Sequence, residues 1–110
     1  QKALDWAEIA VKSSGENGES LFQRAEVFFS IADACSGETL NFNDKLVYEM
    51  AFEDCTVALE KKYYRARQRK DFLEENSITS KGDWFMLGDN KRAKPESKCY
   101  NFITRYVNKK

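Results

Sequence analysis

The chemically most distinctive part of the chain is the segment 61–70, KKYYRARQRK, which contains six basic residues and no acidic one. On a helix, Lys62, Arg65 and Arg69 would share one face, because residues three and four positions apart are neighbours. In nucleic-acid-binding proteins, cations neutralise phosphates and aromatic rings such as those of tyrosine stack on bases. The zero net charge of this chain, however, favours an acidic protein or peptide as the partner over a nucleic acid. We therefore expect Lys62, Tyr63, Arg65 and Arg69 to bind such a partner. A nucleic-acid or anion-binding role for 61–70 is the alternative, and a merely solvated helix face is the simplest interpretation.

Trp84 is the second candidate contact residue. It lies with Phe85 and Met86 in a short apolar segment between Gly82 and Gly88. Inside the protein these side chains would close the core, which is the favoured interpretation. On the surface Trp84 would instead anchor a partner, as large aromatic residues do in interfaces.

The residue types that most often support catalysis or metal binding are missing or badly spaced. The chain has no histidine, which removes the commonest general base and the commonest transition-metal ligand. Cys35, Cys55 and Cys99 show no zinc-site spacing, and neighbouring carboxylates such as Glu53 and Asp54 point about 100° apart on a helix. We predict a protein that is not an enzyme and needs no cofactor or metal. The cysteines are expected to be buried thiols, with one disulfide as the alternative in an oxidising compartment.

Apolar residues recur with helical spacing through most of the chain. The predicted helices span residues 3–12, 19–35, 45–61 and 64–75. Asn43 or Asp44 is the expected N-cap of the third helix, and a turn near 61–63 separates the last two, unless they form one long helix. We predict an all-α fold of three or four helices over residues 1–78. Residues 79–110 form an irregular aromatic tail packed on the same domain, with one short strand or helix near 99–107.

A short internal echo indicates a repeat. Segments 3–10, ALDWAEIA, and 51–58, AFEDCTVA, both have small residues at their first, fifth and eighth positions. A helix with a central alanine follows each of them, at Ala25 and at Ala66. On these residues the chain resembles the tetratricopeptide-like family of helical repeats over about residues 2–75. The tail, through SKGDWF and CYNFI, is similar to the closing segment of repeat proteins from Bacteroidetes-type bacteria.

This resemblance implies repeat-like helix hairpins that stack and leave a groove for a peptide or protein segment. The function it implies is non-enzymatic protein–protein interaction or scaffolding, with the tail capping the last hairpin. It also implies a cell-envelope or secreted location, which the residues on their own do not assign.

The charges are divided unevenly between the two halves of the chain. Residues 1–60 have a net charge of −8 and residues 61–110 a net charge of +8. Such a split can support self-association through opposite halves, or the halves can attract each other within one chain. No apolar run is long enough to span a bilayer.

Overall fold

Five α-helices, joined by short connections, make up most of the computed structural model, which describes all 110 residues. The helices are α1 (Lys2–Ser13), α2 (Gly18–Cys35), α3 (Phe42–Glu60), α4 (Arg67–Asn76) and α5 (Lys81–Leu87). A 3-10 turn at Tyr64–Ala66 leads into α4, and a second one spans Lys98–Tyr100. Two short antiparallel strands, β1 (Arg92–Ala93) and β2 (Val107–Asn108), complete the fold. The prediction of an all-α class is confirmed, and none of the helices is long and apolar enough to cross a lipid bilayer.

Side-chain caps decide where the helices begin. The Asn17 carboxamide accepts from the Ser20 amide at 2.8 Å and starts α2. Asn41 and Asp44 form a capping box at the start of α3. The expected N-cap at Asn43 or Asp44 is therefore wrong, because the cap two residues upstream of Asn43 allows α3 to start at Phe42.

The fifth helix corrects the prediction that the chain is irregular from residue 79. Ser80 and Asp83 form a second capping box, which satisfies the exposed amides at the start of α5. Gly82 lies inside this first turn and does not break it. Gly88, with φ +95°, ends the helix in a conformation that favours glycine.

The chain turns sharply between α3 and α4, so the alternative of one long helix is wrong. The Tyr63 amide donates to the Ala58 carbonyl at 2.9 Å and the Lys62 amide to the Leu59 carbonyl at 2.9 Å. Lys62 itself adopts φ +66°. These bonds satisfy carbonyl groups that the end of α3 would otherwise leave free.

Helix α3 lies at the centre, packed against α2 on one side and against α4 and β2 on others. Small, fully buried residues allow α2 and α3 to approach closely: Ala25 and Ala32 on α2, and Ala51, Cys55 and Ala58 on α3. Larger side chains fill the remaining space, among them Phe28, Leu46, Met50 and Leu73.

Buried carboxylates at intervals of five residues along α3 hold the C-terminal tail in place. Asp44 accepts from the Tyr100 hydroxyl at 2.5 Å, and Glu49 accepts from the Thr79 amide at 2.9 Å. Further contacts are the ion pairs of Asp54 with Arg105 and of Glu49 with Lys110, each at 3.1 Å. Because these carboxylates are nearly inaccessible to water, Glu49 and Asp54 depend on their cationic partners for compensation of their charge, and Asp44 depends on the hydrogen bonds that it accepts from Tyr100 and the Asn41 amide.

The cysteines divide into one pair and one single residue. Cys35, the last residue of α2, forms a disulfide with Cys99 in the tail. Cys55 is a free thiol in the core, and burial raises its pKa to about 12. The expectation of a buried thiol is thus met at Cys55, and the disulfide alternative holds for the other two.

Candidate functional site: a cleft between helices α2 and α4

A cleft of about 320 Å³ opens between α2 and the segment that leads into α4. Its lining residues are Phe22 and Glu26 from α2, Arg65 from the 3-10 turn, and Gln68, Arg69 and Phe72 from α4. Two aromatic rings and two guanidinium groups therefore face one concave surface. Among the sequence-predicted contact residues, Arg65 and Arg69 meet here.

Arg69 is already paired inside this cleft. Its Nε and Nη2 donate to the two carboxylate oxygens of Glu26, at 2.9 and 3.0 Å. The guanidinium carbon also lies 3.7 Å from the centroid of the Phe29 ring, a cation–π contact. The hydrogen bond to Glu26 raises the pKa of Arg69. Arg69 thus ties α4 to α2, and its charge is largely neutralised.

Arg65 is the unpaired cation of the cleft. Its side chain is exposed and takes part in no ion pair or hydrogen bond within the chain. Gln68, one turn further on, is also exposed and donates to no protein group. A guanidinium and a carboxamide are therefore free to bind an oxygen acceptor.

The apolar part of the cleft comes from Phe22 and Phe72. Phe72 is 54% exposed, and its ring packs edge-on against Phe29 at 5.9 Å. Phe22 lies against Tyr63, with the ring centroids 5.7 Å apart. These contacts fix both rings while leaving the Phe72 surface open to a ligand.

The structure places the other predicted contact residues differently. Lys62 is exposed in the turn after α3 and does not line the cleft, so Lys62, Arg65 and Arg69 do not share one helix face. Tyr63 is half-buried and supports Phe22 from behind. Tyr63 lies so close to α2 that a Cβ atom added at position 18 would be 2.6 Å from the Cβ of Tyr63. This lack of space explains why the first residue of α2 is a glycine.

Trp84 is a core residue, as the favoured interpretation predicts, and not a contact residue, whereas Phe85, expected in the core with it, is 81% exposed. The Trp84 side chain is fully buried, and its indole N–H donates to the Thr79 hydroxyl at 2.8 Å. The ring packs edge-on against Phe42 at 5.3 Å. No surface of Trp84 is left for a partner in this conformation.

Half of the cations in segment 61–70 are occupied by contacts within the chain. Lys61 donates to the Glu16 carbonyl, Arg69 pairs with Glu26, and Lys70 pairs with Glu74 at 3.1 Å. The cations whose side chains make neither an ion pair nor a hydrogen bond within the chain are Lys62, Arg65 and Arg67. The positive charge that the segment offers to a ligand is therefore about half of what its composition indicates.

Sequence reasoning missed Phe22, Glu26, Gln68 and Phe72. Each lies on a helix face whose neighbour was unknown, and Glu26 is 43 residues away from the arginine it binds.

No group of three or more His, Cys, Asp or Glu side chains is arranged to hold a metal ion. Comparisons with protein-family models, with curated proteins and with solved structures find no match. The tetratricopeptide-like resemblance thus stays a prediction.

Proposed function

We propose that this chain is a non-enzymatic interaction module whose α2–α4 cleft binds an acidic peptide or protein segment. The observation that carries the proposal is the unpaired guanidinium of Arg65 beside the half-exposed ring of Phe72. An acidic side chain would bind Arg65 through a charge-assisted hydrogen bond. An apolar side chain next to it would cover Phe72 and exclude water from that bond.

The order in which the helices pack also supports an interaction module. Helix α1 packs on α2, α2 on α3, and α3 on α4, so each of the first four helices contacts chiefly its neighbours in the chain, whereas α5 contacts α3. Sequential packing of this kind is typical of helical repeats, which use their surfaces for scaffolding. It is the structural feature that agrees best with the tetratricopeptide-like resemblance.

The test is fluorescence anisotropy with a labelled peptide that has an aromatic residue next to acidic ones. We expect Arg65→Glu to weaken binding at least about tenfold, because it replaces the contacting cation with a repelling charge. Arg67→Glu is the matched control. It makes the same charge change in the same segment, at an exposed residue that does not line the cleft.

An equal loss of peptide affinity in both variants would mean that the peptide responds to the overall positive charge of the segment and does not bind in the cleft. The proposal would then fail. A labelled single-stranded oligonucleotide tests the nucleic-acid alternative. With three free cations, its log affinity should fall against log salt with a slope of about −2. Tight oligonucleotide binding with that slope, and none of the peptide, would favour the alternative.

A further inference from the structure

Helix α5 ends in consecutive apolar residues that face the solvent. Phe85 is 81% exposed and Met86 is 83% exposed, and Leu87 follows at 37%. We call these three residues the α5 tip. Phe85 and Met86 line none of the cavities of the protein, and neither packs on another aromatic ring. They protrude from the surface, whereas Phe72 lies in a cleft.

Helix α5, which carries this tip, is held in place by contacts with the rest of the protein. Trp84, the residue just before the tip, is fully buried against Phe42. Asp83 caps the start of the helix and forms an ion pair with Lys45 on α3 at 3.3 Å. Because α5 is anchored at these points, the apolar side chains of the tip cannot turn inward without unpacking Trp84. Their exposure is a built feature of the fold.

Unpaired basic residues lie close to the tip along the chain. Lys81 lies one helical turn before Phe85 and on the same face. Lys91 follows the turn after α5, and Lys94 lines the same small cavity as Leu87. None of these lysines forms an ion pair, whereas Asp83, the only acidic residue of α5, is paired. Two acidic residues of this region, Asp89 and Glu96, are also without an ion pair, and Glu96 lines the cavity of Leu87 and Lys94. The tip is therefore an apolar projection whose neighbouring free charges are basic by a small excess.

We propose that the α5 tip docks the protein on an anionic lipid surface. Phe85 and Met86 would enter the boundary between headgroups and acyl chains, and Lys81, Lys91 and Lys94 would lie at the level of the phosphates. Apolar residues flanked by lysines are typical of segments that lie in membrane interfaces. Helices α2 and α4 and the 3-10 turn, which form the cleft, are not part of this surface, so the inference does not rest on the proposed function.

The geometry favours a lipid surface over a protein partner. Adjacent residues on a helix point about 100° apart, so Phe85 and Met86 do not form one flat patch. A folded partner would need two separate pockets to accept them. A fluid bilayer accommodates both side chains, and flexible lysines bind headgroups without a defined hydrogen-bond geometry.

The test is cosedimentation of the full chain with vesicles of phosphatidylcholine alone or with added phosphatidylserine. We expect binding to the anionic vesicles only, weakened by salt. Phe85→Ala/Met86→Ala should lower the partition coefficient at least about tenfold. Lys81→Gln and Lys91→Gln should each lower it about fivefold. The matched control is Trp6→Ala/Ile9→Ala, which removes two apolar side chains, 70% and 55% exposed, from α1.

Absence of binding to anionic vesicles would overturn the proposal, as would an equal loss in the α1 control. Light scattering without lipid covers the remaining possibility. If the wild type forms a dimer and does not bind vesicles, and if Phe85→Ala/Met86→Ala is a monomer, the tip contacts a second copy of the chain. That result would overturn the lipid assignment.

Discussion

Removing the Cys35–Cys99 disulfide should lower the free energy of unfolding by about 4 kcal/mol. The bond joins the end of α2 to the tail and closes a loop with a sequence separation of 64 residues. In the chain-entropy treatment, a loop of that length restricts the unfolded chain by about 14 cal/mol/K, which gives about 4 kcal/mol at room temperature. Neither cysteine is fully buried, so Cys35→Ser/Cys99→Ser leaves no hydroxyl group without water.

Urea unfolding followed by tryptophan fluorescence and far-ultraviolet circular dichroism measures this difference. The variant should keep its native helix content, because Tyr100 still binds Asp44 and Arg105 still binds Asp54. A thiol titration of the unreduced wild type in denaturant is the control and should find one thiol per chain, that of Cys55. Three thiols would show that the bond does not form. A loss below about 1 kcal/mol would refute the entropic reasoning.

Two further predictions concern the core. Trp84→Ala should lower the free energy of unfolding by about 3–5 kcal/mol, because it empties a fully buried site. Phe85→Ala, one residue along but 81% exposed, should change it by less than about 0.5 kcal/mol in the same urea assay. Equal effects would contradict the orientation of α5. Burial raises the pKa of the Cys55 thiol to about 12, so the unfolded state loses this proton first as the pH rises. Between about pH 8 and about pH 10 the wild type should therefore lose about 1.4 kcal/mol more stability than Cys55→Ala. If the free energies of unfolding of the two proteins changed with pH in parallel, the pKa of the thiol would not be raised in the folded state.

The first three helices could be predicted from the sequence because each has a continuous apolar stripe that begins or ends near a glycine or an asparagine. The apolar pattern of α4 is weaker, and one long helix with α3 remained an alternative. The predicted α1 and α2 end within one or two residues of the observed bounds. Helix α5 could not be found in this way, since seven residues are too few for a clear periodicity. The signal that was available is the spacing of Ser80 and Asp83, an N-cap followed three residues later by an acceptor.

The candidate site was predictable only in part. The composition of 61–70 indicated that Arg65 and Arg69 matter, and both line the cleft. Their different states could not be derived, because Arg69 is neutralised by Glu26 on a helix 43 residues away. The prediction that Lys62 shares a helix face with Arg65 and Arg69 is wrong because α3 ends at Glu60. Lys62 lies in a left-handed turn after that helix, and its side chain does not follow the spacing of α4.

The division of charge along the chain is largely resolved within one molecule. Five of the seven ion pairs join a residue of 1–60 to a residue of 61–110. Attraction between the two halves therefore needs no second copy, and two of these pairs, those of Asp54 with Arg105 and of Glu49 with Lys110, compensate carboxylates that are buried on α3. What remains for partners is the set of cations that this pairing leaves free. Some of those cations lie at Arg65 beside an aromatic cleft and near the α5 tip, and each of the two proposed surfaces combines them with exposed apolar area.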